Sequence, residues 1–83
     1  MKKHYYYTGA KITYFPEGNV SSKAETIEVF NPYELIQNEN RDDASFFMAA
    51  PFILELEIRK KFDELNPLAH TLNVELFQIS RLN

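Results

Sequence analysis

Eighty-three residues, 45% hydrophobic and 25% charged, describe one modest core in a single domain spanning residues 1–83 and exclude a chain disordered throughout. With no cysteine, a disulfide scaffold, a cysteine-based zinc site and a thiol nucleophile are excluded as well. The net charge of −3 hides an uneven distribution. The first 23 residues hold four lysines against one glutamate, while the remainder holds eleven acids against five bases, so a broad cationic surface is not expected but a basic N-terminal strip is.

Lys2-Lys3 is followed by His-Tyr-Tyr-Tyr-Thr-Gly, which lacks the apolar run of a secretory signal. The longest mostly apolar stretch, Ala44 to Leu56, is interrupted by a serine, a proline and a glutamate and is too short to cross a bilayer. A cytosolic location and no membrane partner are expected.

The first thirty residues read as strand. Tyr5, Tyr6, Tyr7 and Thr8, then Lys11 to Phe15, are aromatic and β-branched types that suit a pleated surface. Between them Gly9-Ala10 weakens the run and marks a bulge. Alternation sends Tyr5 and Tyr7 to one side of the strand and Tyr6 to the other. Phe15-Pro16-Glu17-Gly18-Asn19 has the chemistry of a turn: proline presets φ, and Gly18 or Asn19 accepts the positive φ that closes the bend. A partner strand follows, clearest from Glu25 to Phe30, with Ile27 and Val29 on one face and Thr26 and Glu28 on the other. Together they predict a β-hairpin.

Asn31-Pro32 carries the signature of a helix start, asparagine as cap and proline at the first helical position, so Tyr33 to Gln37 is expected to form one or two turns. Asp42 or Asp43 caps a further turn or two through Ala44–Ala50, which should meet Pro51 as a kink or corner. From Pro51 to Leu65 two periods compete. Leu54, Leu56 and Ile58 alternate as in a strand, whereas Leu54, Ile58, Phe62 and Leu65 share one helical stripe. A helix also makes acid-first pairs of Glu55–Arg59 and Glu57–Lys61, and Asn66-Pro67 supplies its stop, so helix is the better account. The end of the chain alternates again, with Leu72, Val74 and Leu76 on one side and Phe77 and Ile79 on the other. The expected fold is α+β: an N-terminal β-hairpin and a C-terminal strand in a small antiparallel sheet, with one or two helices on one face, in the order β-β-α-α-β.

The run from Asn40 to Glu55 resembles a segment common in small phage and prophage proteins, in which an Asn/Asp-Ala start leads through apolar residues to Ala-Ala-Pro, more apolar residues and Glu. Ala44, Ala49, Ala50, Pro51, Leu54 and Glu55 match it, while the bulky Phe46, Phe47 and Phe52 depart from the smaller or polar residues usual there. The resemblance covers about a fifth of the chain. It implies a phage origin, and hence a bacterial host's cytoplasm, and helical structure after Pro51; it implies no catalytic residue.

Few residues suggest chemistry. His4 and His70 lie in no nucleophile or metal motif, and their ordinary reading is as surface histidines at strand ends. Were the terminal strands to pair, the two could meet at a metal. Asp42-Asp43 reads as helix capping before an acid pair, and Asp63-Glu64 belongs on a solvated helix side. With only Gly9 and Gly18 there is no phosphate-cradling loop. No catalytic residue, cofactor or metal is expected, and the chain reads as a non-enzyme.

Binding is better represented. Lys2, Lys3, Tyr5, Tyr6, Tyr7 and Lys11 combine cations with rings, a set that serves a protein interface through rigid aromatic area or single-stranded nucleic acid through stacking and phosphate pairing. Phe46-Phe47-Met48 cannot all face one core, because neighbours on a helix lie about 100° apart, so one of them is expected on the surface, where a homodimer could cover it. The expectation is a small accessory protein that binds a host or phage protein stoichiometrically, as an inhibitor of a host defence complex would. Nucleic-acid binding through the N-terminal strand is the alternative.

Overall fold

A computed structural model describes residues 1–17 and 23–82. Its elements are β1 (Lys2–Phe15), β2 (Glu25–Gln37), α1 (Asp43–Leu65) and β3 (His70–Arg81). The three strands make one antiparallel sheet in the order β2-β1-β3, with the first strand in the middle. Helix α1 lies on one face, which is the α+β architecture expected, with a single helix and the order β-β-α-β.

Alternation on β1 decides what goes where. His4, Tyr6, Thr8, Ala10 and Ile12 point under the helix and are buried, while Lys3, Tyr5, Tyr7 and Lys11 point the other way and are exposed. The helix answers with Phe46, Ala50, Leu54, Ile58 and Phe62, one residue every fourth position. Tyr6, Leu35, Phe46, Ala50 and Leu54 form one end of the core; Ala10, Ile12, Ile58, Phe62 and Val74 form the other. Leu56, which only the strand period would have buried, is 66% exposed, so the helical reading of Pro51–Leu65 holds.

Three expectations need correction. Asn31-Pro32 does not open a helix; β2 runs through it to Gln37, pairing Asn31 with Thr8 and Pro32 with Tyr7. A proline is tolerated there because β2 is an edge strand, on which alternate N–H groups have no neighbour to bond. The pairing of a full-length central strand outweighs a local signal worth about a turn of helix, which cannot hold itself. Second, the turns expected over Ala44–Ala50 are not a separate piece. Asp42 caps the helix, its Oδ1 accepting from the Ser45 N–H at 2.7 Å, and α1 continues for 23 residues with Pro51 inside it. Interior proline costs about 3 kcal/mol, and burial of apolar residues on both sides of it offsets that cost. The helix ends as the sequence indicates, at Asn66, whose N–H and side chain both donate to the Phe62 carbonyl.

The third correction concerns β3. A bulge opposite Gly9/Ala10 pairs Ala10 with Leu76 but Gly9 with Gln78, leaving Phe77 as the extra residue; a second irregularity at Thr13/Tyr14 leaves Leu72 extra and exposed. The bulge resets the alternation, so Phe77 and Ile79 do not share a side: Phe77 stands over Gly9, while Ile79 is paired with the helix-facing Thr8. Of the expected turn at Phe15–Asn19, Phe15 ends β1, Pro16 and Glu17 form a turn, and Gly18 and Asn19 lie outside the described residues.

Candidate functional site

One face of the sheet has no helix. Residues opposed across an antiparallel pair share a face, so Lys3, Tyr5, Tyr7, Gly9 and Lys11 of β1 join Ile36, Glu34, Pro32, Phe30 and Glu28 of β2. On β3, Glu75 is opposite Lys11 and Phe77 lies beside Gly9. At the centre, the Phe30 and Phe77 rings meet edge to face at 5.7 Å over Gly9. The glycine is required by that approach, since a Cβ there would lie 2.9 Å from the Phe30 ring and 3.0 Å from the Phe77 ring. Both rings are nearly half exposed, and Tyr5, Tyr7 and Ile36, farther along the same face, are exposed as well.

Charge on this face runs in rows. The central strand carries Lys3 and Lys11, the flanking strands Glu34, Glu28 and Glu75. Lys3 Nζ lies 3.7 Å from the Glu34 carboxylate, whereas Lys11 makes no ion pair among the described residues.

Of the sequence-predicted binding residues, this face brings together Lys3, Tyr5, Tyr7 and Lys11 and not the others. Lys2 points to the helix side and its Nζ donates to Asp43 Oδ1 at 3.3 Å. Tyr6 and Phe46 are core residues, exposed by 4% and 2%. Phe47 is half-buried beneath the Arg81 guanidinium, which stands 4.6 Å from its ring centroid. Met48 is therefore the exposed member of its triplet, and with Phe52 and Leu56 it forms an outward stripe on α1.

His4 is not a surface residue. It is buried, stacks on Phe46 at 4.8 Å, and anchors a polar network. Gln37 Nε2 donates to the Arg41 carbonyl and to Asp43 Oδ1, both at 2.8 Å, so its Oε1 accepts from His4 Nε2–H at 2.9 Å. That fixes the tautomer and leaves His4 Nδ1 to accept from Arg81 Nη2 at 3.4 Å. The network ties the start of β1, the end of β2, the start of α1 and the end of β3. The Gln37 amide, then the Lys2 ammonium, hold the Asp43 carboxyl below its ordinary value.

The two histidines do not converge. His70 is opposite Phe15, eleven positions along β1 from His4, which separates the histidines by roughly 35 Å. Among the described residues no three His, Asp or Glu side chains are placed to hold a metal. Asp42 and Asp43 border an open pocket with Lys2, Gln37 and Arg41, but one caps the helix and the other is engaged by Gln37 and Lys2. No described helix is long and apolar enough to cross a membrane.

Phe30, Pro32, Ile36 and Phe77 escaped the sequence reading of the site. Phe30 was within reach, since it shares the period of Thr26 and Glu28; alternation also set Phe77 on the side away from Val74 and Leu76, and what stayed hidden was the bulge that carries it over Gly9. No protein-family model matches this chain, and neither the curated proteins nor the solved structures hold a match to it.

Proposed function

We propose that the protein is a non-enzymatic binding module that engages another protein through the open face of its sheet. The observation that carries this reading is the Phe30–Phe77 pair over Gly9, with Tyr5 and Tyr7 along the same strand face: large, rigid aromatic area left exposed on a sheet whose other face is packed under the helix. The strand edges are poorer docking sites. Pro32 interrupts the outer edge of β2, and two irregularities disturb β3, both of which discourage addition of a strand from another chain. The chain acts stoichiometrically, by covering a surface of its partner. In keeping with the phage resemblance, a complex of the bacterial host's defence, met in the cytoplasm, is the class of partner we favour.

The nucleic-acid alternative is weaker because two of its three cations are ion-paired within the chain and the third is flanked by acids. Lys2 pairs with Asp43, Lys3 with Glu34, and Lys11 stands between Glu28 and Glu75. The test is affinity capture from host lysate with the wild type and with Tyr7→Asp, both shown folded by circular dichroism. A protein recovered in equal molar amount by the wild type and lost with the variant supports the reading. Single-strand affinity that falls steeply with salt, or equal recovery by both, overturns it.

A further inference from the structure

The open face has a charge pattern that complements itself. From one edge to the other its rows read acidic, basic, acidic: Glu28 and Glu34 on β2, Lys3 and Lys11 on β1, Glu75 on β3. A uniformly acidic or basic partner meets repulsion on one of those rows. The same pattern displaced by one strand meets attraction on both rows it covers. Such a displacement arises when a two-fold axis runs along the strands between β1 and β2, since it places β1 of each copy over β2 of the other.

We propose that the face binds a second copy of this chain in that arrangement, as an isologous, face-to-face dimer of sheets. This rests on the reading of the open face as a protein-binding surface and names its occupant. Because Lys11 is paired in register with Glu28, the axis sets Lys11 of each copy against Glu28 of the other, and Lys11 has no ion pair in its own chain among the described residues. Tyr7 comes over Pro32, and Phe30 of each copy comes over the Phe30–Phe77 pair that closes on Gly9 of the other. Sheets stacked face to face keep their strands within about 30° of one another, which this axis permits. The overlap is modest. Two strands of thirteen residues give roughly 400 Å² in plan, against about 800 Å² per partner in a standard interface. The dimer is accordingly weak, with dissociation in the micromolar range or above, and it can yield the face to a tighter partner.

Sedimentation over a concentration series at low salt tests this with the full chain, using Lys11→Glu and Glu28→Lys as variants. Each variant sets like charges against each other in its own dimer, but a mixture of the two restores attraction across the axis. The expected result is a wild type that passes from monomer to dimer, two variants that stay monomeric while folded by circular dichroism, and an equimolar mixture that dimerises. A wild type that is monomeric throughout, variants that dimerise as the wild type does, or a mixture that fails to associate overturns the proposal. If the wild type is monomeric yet Tyr7→Asp still abolishes capture of a host protein, the dimer falls while the protein-binding reading stands.

Discussion

The two faces of one sheet differ in kind although they share every strand. Under the helix, Tyr6, Ala10, Ile12, Leu35 and Val74 are almost fully covered, and burial of apolar area against α1 stabilises the fold. On the far side, side chains of similar size and chemistry remain exposed by a third to a half. Both faces are built by alternation on β1, so neither can be altered by a shift of register without altering the other. What separates them is a single helix, long enough at 23 residues to cover one side only. The covered face carries stability, and the open face is where the chain can spend apolar contact on something outside itself.

Substitutions on the two faces should therefore separate. Leu54 is wholly buried, and Leu54→Ala should remove about 3 kcal/mol of unfolding free energy, measured by urea denaturation. Gln37→Leu should cost about 2 kcal/mol, because it leaves the buried His4 Nε2–H and the Arg41 carbonyl without their partners. Phe30→Ser, on the open face, should cost about 1 kcal/mol or less, chiefly the edge-to-face contact with Phe77, while abolishing partner capture. A loss at Phe30 as large as that at Leu54 would mean that the far face is also core, and would remove the contrast.

Sequence showed the covered face better than the open one, for a physical reason. Burial under a helix imposes a period, and Leu54, Ile58 and Phe62 at fourfold spacing announce it; so do Tyr5, Tyr6 and Tyr7 on β1, whose sides alternate as expected. On the open face the same alternation showed Lys3, Tyr5, Tyr7 and Lys11, but not the aromatic centre. That centre depends on Gly9, which allows two rings to close over the backbone, and on a one-residue bulge in β3. The glycine was readable as a weak point in a strand, but its cross-strand neighbours were not, since they come from segments 21 and 68 positions away. Pro32 misled because its local chemistry suits a helix start equally well. The edge position that makes it harmless in β2 is a property of the whole sheet. His4 looked like a surface histidine for the same reason: its partners Gln37 and Arg81 are brought to it only when three strands have assembled.

The smallest effect we expect comes from Asp43, where the polar network reaches solvent. Its carboxylate accepts from Gln37 Nε2 and from Lys2 Nζ, and these hold its folded pKa below the ordinary value of 3.8. The unfolded chain binds that proton at a higher pH than the folded one does. Folding is thus favoured by this group above the unfolded value, and the contribution fades as pH falls through the lower folded value. The side chain is 60% exposed, so solvent screens the interaction and the gain is slight. Melting temperatures of the wild type and Asp43→Asn should differ most near neutral pH and converge in acid, once the wild-type carboxyl is protonated. A difference that persists unchanged below the folded value would assign the effect of Asp43 to its place at the helix start rather than to its charge. The link between Gln37 and α1 would then be one of hydrogen bonding alone.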